Sequence, residues 1–197
     1  MSANTLKKTF LNKSEIKAMD AEHKRKLSFN IGKYNDTVVK GKQQFADLDN
    51  ARKKAKNIKW KTIEHLDKYL VEFGQNFTKN GGKVIWARDA QEANEAVLEI
   101  CKLHQTTQVV KSKSMVTEEI HLNDFLEKNH IESVETDLGE YIQQLDGEAP
   151  YHIVTPAMHK SKEDVAKLFH EKLGVEPNLN PSELTLIARK NLRAKYT

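Results

Sequence analysis

The feature that most constrains the fold is a short apolar run followed by a helical pattern, a unit that occurs four times in the second half of the chain. The four runs, each with at least two apolar residues, are 83–87, 108–110, 131–136 and 152–155, and each is a predicted strand. Because a helix follows each run before the next run begins, the strands are expected to lie parallel and to be joined by right-handed crossovers. The pattern therefore predicts an α/β fold, a parallel sheet with flanking helices.

The first part of the chain has a different pattern, in which charged and apolar residues are mixed at helical spacing. This spacing extends over about 14–27 and 45–77, with Gly32 and Gly41 as expected helix ends between them. The turn at 80–82 then introduces the first strand. We predict two domains, an N-terminal helical region of residues 1–79 and an α/β domain of residues 80–197.

The excess of positive charge lies in the first third of the chain. Residues 1–68 contain 17 Lys or Arg against 8 Asp or Glu, whereas the remainder contains 15 against 20. A nucleic-acid-binding arm would show interleaved aromatic residues or a recognisable motif, and the sequence has neither, so no nucleic-acid partner is predicted. The alternatives are a solvated helical face and a face that docks on an acidic part of a partner subunit.

The sequence indicates neither a membrane span nor cysteine chemistry. No apolar run approaches the roughly 18 residues of a membrane helix, and the first residues lack the apolar region of a secretory signal, so we predict a cytoplasmic protein. Cys101 is the single cysteine and lies in an apolar helical stretch. We expect a buried thiol, and this chain alone cannot form a disulfide or a cysteine-rich iron–sulfur or zinc site.

Three loops carry the candidate chemistry, and each follows an apolar run and opens a helical pattern. They are 111–119 (KSKSMVTEE), 137–140 (DLGE) and 155–160 (TPAMHK). In an open α/β sheet the carboxyl ends of parallel strands form one rim, and ligands bind there. We therefore expect any active or binding site on this rim.

The first loop has the composition of an anion site. Lys111 and Lys113 alternate with Ser112 and Ser114 where a strand ends and a helix begins. Lysine charge, serine hydroxyls and the free amides of a helix start together favour a carboxylate or a phosphate. The alternative is that Ser114 only caps the helix, although capping does not require two lysines.

The other two loops supply candidate proton-transfer groups. Asp137 and Glu140 lie three residues apart at a helix start, where a carboxylate pair can bind a cation, act as acid and base, or simply cap the helix. His159 precedes the helix that Ser161 begins, and it is either a ligand or proton-transfer group or a solvated histidine. We predict that His159 and Asp137 are catalytic and that the chain has no metal ligand. The predicted substrate-binding residues are Lys111, Ser112, Lys113, Ser114 and Glu140.

These loops and the segments around them resemble the LUD family. The resemblance covers about residues 57–174 and rests on 81–89 (GGKVIWARD), 110–122 (VKSKSMVTEEIHL), 135–145 (ETDLGEYIQQL) and 153–160 (IVTPAMHK). It implies a fold similar to the NagB/RpiA/CoA-transferase group and membership of a cytoplasmic three-component system that oxidises L-lactate to pyruvate. One component of that system resembles a LUD domain fused to a ferredoxin-like, electron-transporting segment with two 4Fe-4S iron–sulfur clusters.

The resemblance also implies that this chain is an incomplete portion of such a protein. It stops before the glycine-rich second half of the family domain and before the cluster cysteines, so we expect an N-terminal portion that is inactive alone. The resemblance further implies that this chain holds no cofactor and that its ligand is a small carboxylate. It implies as partners the other subunits of a lactate utilisation complex.

A non-catalytic module that binds a small anion or assembles subunits is the alternative function. Familiar nucleotide chemistry is disfavoured, because the sequence has no dinucleotide fingerprint, P-loop, nucleophile elbow or HExxH motif. Acyl-CoA or sugar-phosphate chemistry would rest on fold analogy alone.

Overall fold

The computed structural model describes residues 3–196, and within them the architecture is α/β with a helical region at the N-terminus, as predicted. The chain forms two compact units. One combines the residues up to Lys33 with those from Cys101 onward, and the other is Tyr34–Ile100.

The helices and strands have the following bounds in chain order. They are α1 Ala3–Met19, α2 Ala21–Lys42, α3 Leu48–Glu64, α4 Leu66–Lys79, α5 Ala90–Leu103, β1 Gln108–Lys111, α6 Met115–Glu119, α7 Leu122–Lys128, β2 Glu132–Glu135, α8 Leu138–Asp146, α9 Lys162–Leu173 and α10 Pro181–Ala194.

The sheet formed by the described residues consists of β1 and β2, which pair in parallel. The short helices α6 and α7 form the crossover between them. The register places Gln108 opposite Glu132 and Lys111 opposite Glu135. The carboxyl ends of both strands, and with them Lys111 and Glu135, therefore lie at the same edge of the sheet.

Two of the four predicted strands do not form in the described part of the chain. Residues 83–87 and 152–155 have no regular secondary structure, and the apolar side chains of Ile85, Trp86 and Ile153 are about 60% exposed. A strand needs a neighbour that satisfies its backbone N–H and C=O groups, and β1 and β2 pair only with each other. The prediction of strands at these two segments is wrong, whereas those at β1 and β2 are confirmed.

Two helix predictions also change in detail. The helix after β1 is divided into α6 and α7 at His121, whose φ of 54° is left-handed. α2 continues through Gly32, so the prediction of a helix end at this residue is wrong. A single glycine costs a helix about 1 kcal/mol relative to alanine, which the rest of a 22-residue helix offsets.

The main apolar cluster of the first unit lies between α8, α9 and α10. Phe169 of α9 is fully buried and packs edge-on against the Tyr141 ring of α8. α9 begins after Ser161, as predicted, with a capping box in which Ser161 and Asp164 exchange hydrogen bonds between their side chains and backbone amides. This packing fixes the position of α8, whose first turn carries Glu140.

Cys101 lies on α5 and is buried, as predicted. Within residues 3–196, no helix combines the length and the apolar character that crossing a membrane requires.

Candidate functional site

Lys111 ends β1 and points its ammonium group into a cluster of polar side chains. Its Nζ forms an ion pair with the Glu135 carboxylate, lies 3.6 Å from Oε1 of Glu118, and donates to Oγ1 of Thr117 at 3.1 Å. The side chain is only 11% exposed. The ammonium group predicted to bind an anion is therefore already held by a carboxylate of the protein.

Glu135 is the central residue that sequence reasoning missed. It ends β2 directly opposite Lys111 and is 2% exposed. Its Oε1 accepts from Nδ2 of Asn123 at 3.0 Å, and its backbone N–H donates to Oε1 of Gln144 at 3.0 Å. The available signal was a pair of opposite charges at the ends of two consecutive predicted strands, which parallel pairing brings into register.

Glu140 and Lys113 are buried polar groups beside this ion pair. Both carboxylate oxygens of Glu140 and the ammonium of Lys113 have no hydrogen-bond partner among the described residues. Burial, followed by the negative charge of Glu135 and by the hydrogen bond that a protonated Glu140 can donate to Glu135, raises the pKa of Glu140 to about 7, although the charge of Lys113 acts in the opposite direction. Glu140 therefore changes its protonation state near neutral pH.

A cavity of about 600 Å³ opens onto Glu135 and Glu140. Gln143, one turn after Glu140, also lines it and is 1% exposed. Its Nε2 donates to the carbonyl oxygen of Ala149 at 3.1 Å and to Oε2 of Glu148 at 3.4 Å, which fixes the orientation of the amide. The Oε1 atom of Gln143 is left without a partner in the described structure.

Three predicted site residues lie outside this cluster or act as helix caps. Ser112 is exposed, and Oγ of Ser114 accepts from the backbone N–H of Thr117 at the start of α6. Asp137 is exposed, and its Oδ1 accepts from the backbone N–H groups of Gly139 and Glu140 at the start of α8. Ser114 and Asp137 therefore act as helix caps, which is the alternative to a binding or catalytic role.

His159 belongs to a second cluster in the same compact unit. Its Nε2 lies 3.0 Å from Oε2 of Glu148, and Lys160 pairs with Glu148 at 3.0 Å and also with Asp146. Burial lowers the pKa of His159 by more than the hydrogen bond to Glu148 raises it. Burial would raise the pKa of Glu148, but the bonds from Lys160 and His159 outweigh it and lower that pKa.

These shifts define the state of the His159 ring. An ionised Glu148 can only accept a hydrogen bond, so Nε2 of a neutral His159 carries the proton. The buried Nδ1 atom then holds a lone pair, and no described residue donates to it. This nitrogen is consequently a free base at neutral pH.

Two further residues complete the second cluster, and neither was singled out in the sequence. His23 on α2 is 8% exposed, and its Nε2 lies 2.8 Å from the hydroxyl of Tyr151. The Tyr151 ring lies 4.6 Å from that of His159 between centroids. Because 128 residues separate His23 from Tyr151, no local sequence pattern could have joined them.

Glu148 connects the two clusters. Its Oε2 contacts His159 and Lys160 on one side and Nε2 of Gln143 on the other, and the residue also lines the 600 Å³ cavity. In the described residues no group of three or more His, Cys, Asp and Glu side chains is placed to hold a metal ion.

Comparison with known proteins identifies the family. The LUD domain family model matches residues 70–197. The chain is 43% identical over 158 residues to lactate utilization protein B of Bacillus cytotoxicus, 44% over 155 residues to that of Anoxybacillus flavithermus, and 41% over 158 residues to that of Bacillus cereus strain AH820. These alignments cover 78–80% of this chain but 33% of each relative, so the chain spans about a third of the length of the relatives it matches. No solved structure matches the chain. On the family match and these identities, the chain belongs to the LUD domain family.

Proposed function

We propose that this chain is the LUD-domain portion of a protein that oxidises L-lactate to pyruvate as part of a cytoplasmic, multi-subunit iron–sulfur oxidoreductase system. The observation that carries the proposal is the 41–44% identity to relatives named lactate utilization protein B. A non-catalytic anion-binding or assembly module is not favoured, because those relatives are named for lactate utilisation.

The role of this chain in the proposal is to bind the carboxylate of the substrate. Lys113 is the group best suited to it, since its buried ammonium has no hydrogen-bond partner in the described residues. A carboxylate that pairs with this ammonium would form a charge-assisted hydrogen bond, which is stronger than a neutral one. Lys111 is suited to a supporting role, because its ammonium is already paired with Glu135.

Oxidation of L-lactate to pyruvate removes two electrons and two protons, one from the hydroxyl O–H and one from Cα–H. The electrons pass to the acceptor in another part of the system, and the hydroxyl proton needs an acceptor near the substrate. Of the two candidates from the sequence, His159 is the better acceptor, because its buried Nδ1 is unpaired among the described groups. Asp137 has one carboxylate oxygen engaged in capping α8. We therefore assign the proton to His159 in this proposal.

The residues of this chain do not fit an iron–sulfur cluster. A 4Fe-4S cluster is held by four cysteine thiolates, whereas this sequence has only Cys101, which is buried on α5. The proposal therefore assigns substrate binding and proton transfer to this chain, and places the electron acceptor in another part of the system.

A thermal-shift titration with L-lactate and pyruvate tests the proposed binding. A ligand at about 100 times its Kd stabilises a protein by about 2.7 kcal/mol. We expect a shift for the unaltered chain that is lost in Lys113→Met and retained in Lys128→Met, a matched control because Lys128 is exposed on α7. A shift that survives Lys113→Met would contradict the carboxylate site, and a shift with phosphate or coenzyme A alone would point to a different substrate class.

A further inference from the structure

The cavity beside Glu135 and Glu140 has a strongly acidic lining. Seven of its sixteen lining residues are Asp or Glu, and no Lys or Arg is among them. Its volume of about 600 Å³ falls within the range typical of small-molecule sites. Charge and size together favour a small ligand of positive charge.

Four buried oxygen atoms at this cavity have no hydrogen-bond donor among the described residues, apart from the proton that a protonated Glu140 can share with Glu135. They are both carboxylate oxygens of Glu140, Oε2 of Glu135 and Oε1 of Gln143, on residues that are at most 2% exposed. The amide of Gln143 cannot turn to relieve this without losing the bonds from its Nε2 to Ala149 and Glu148. An unsatisfied buried acceptor is destabilising, so these atoms favour a ligand that brings several donors.

The neighbouring lysines do not supply those donors. Lys111 already serves Glu135, Glu118 and Thr117. Lys113 influences Glu140 through its charge but forms no hydrogen bond with it. A metal ion is not favoured either, because the described Asp, Glu, His and Cys side chains include no set of three arranged to hold one.

We propose that this cavity binds the ammonium or guanidinium group of a small organic cation, with Glu140 and Glu135 opposing its charge and Gln143 accepting one of its N–H groups. An ammonium group offers three donors and a guanidinium group five, which matches a cluster of unpartnered oxygens. This cation site lies next to the proposed carboxylate site, since the charge of Lys113 acts on Glu140, but different side chains carry it and it is a second ligand-binding function of the chain.

The protonation of Glu140 provides an independent signature. Burial and the adjacent Glu135 raise the pKa of Glu140 to about 7, so about half of the unliganded molecules carry a proton there at neutral pH. A bound cation favours the ionised carboxylate. Binding should therefore release a proton, and the affinity should rise between pH 6 and pH 8.

Isothermal titration calorimetry with putrescine and agmatine tests the proposal, and the uncharged 1,4-butanediol is the control ligand. Loss of a hydrogen bond to a charged group weakens binding by about tenfold or more. We expect that loss in Glu140→Gln, whereas Glu176→Gln should bind within about twofold of the unaltered chain, because Glu176 is exposed and does not line the cavity.

The unaltered chain provides the measurement that does not depend on folding of a variant. Titration at pH 7 in buffers of different ionisation enthalpy should show net proton release when the cation binds. The proposal is overturned if butanediol binds as tightly as the cations, if Glu140→Gln binds them unchanged, or if neither cation binds at up to about 10 mM. The lactate titrations use Lys113→Met, so failure of one proposal is distinguishable from failure of the other.

Discussion

Replacement of Glu140 by glutamine should stabilise the protein at alkaline pH. The carboxyl group is 2% exposed and has a folded-state pKa of about 7, against an ordinary value of 4.5. Between these two values the folded chain holds a proton that the unfolded chain has released. The stability associated with this proton is fully present below pH 4.5 and is lost as the pH rises through 7.

The size of the effect follows from the two pKa values. Each tenfold difference in proton affinity corresponds to 1.36 kcal/mol, so ionisation of Glu140 lowers the free energy of unfolding by about 3 kcal/mol above pH 7. Glutamine cannot ionise, and its amide can donate to the unpartnered Oε2 of Glu135. Glu140→Gln should therefore exceed the unaltered chain in stability by about 2 kcal/mol more at pH 8 than at pH 5.

Urea denaturation followed by far-ultraviolet circular dichroism measures this difference. Tryptophan fluorescence is unsuitable, because Trp60 and Trp86 lie in the other compact unit. Glu119→Gln serves as the control, since the exposed Glu119 should leave the pH dependence unaltered. If the difference in stability between Glu140→Gln and the unaltered chain is the same at pH 5 and pH 8, the carboxyl group is not buried in its acidic surroundings as described.

Three other perturbations address neighbouring groups. Lys111→Met should lower the free energy of unfolding by about 3 kcal/mol, because it leaves the Glu135 carboxylate buried and unpaired, and adding Glu135→Gln should restore most of that loss in the same denaturation assay. The imidazole of His159 should titrate below its usual range by NMR, and its pKa should fall further in Glu148→Gln, because the bond to Glu148 raises it; an increase would contradict the assigned contact. Asp137→Ala should lower the melting stability by about 1 kcal/mol through loss of the α8 cap, with Asp137→Asn close to the unaltered chain; equal losses would indicate a role other than capping.

Local sequence patterns predicted the elements whose stability is decided locally. The start of α9 was predicted at Ser161, and in the structure Ser161 and Asp164 form the cap within a single turn. The same kind of local contact is present at α5, where Asp89 accepts from the N–H of Glu92. The strands β1 and β2 were predicted from short segments with apolar residues between helical patterns, and in the structure they pair with each other.

What the sequence left undetermined depends on partners distant along the chain. Residues 83–87 have strand composition, but no described strand pairs with them. Glu135 looks like an ordinary strand-end residue until pairing places Lys111 opposite it. His23 and Tyr151 meet only through tertiary packing. The residues Lys111, Lys113, Glu140 and His159 were identified by residue type, but their burial and pairing were not predictable from it.

Glu148 couples ligand binding in the acidic cavity to protonation of His159 in the second cluster. Its carboxylate is a hydrogen-bond acceptor for Gln143 at the acidic cavity and for His159 in the second cluster. A ligand in the cavity that attracts this carboxylate weakens its hydrogen bond to His159 and so changes the proton affinity of the imidazole. Protonation of His159 then changes the affinity for that ligand by the same factor. Through this single side chain, the protonation state of His159 depends on whether the acidic cavity holds a ligand.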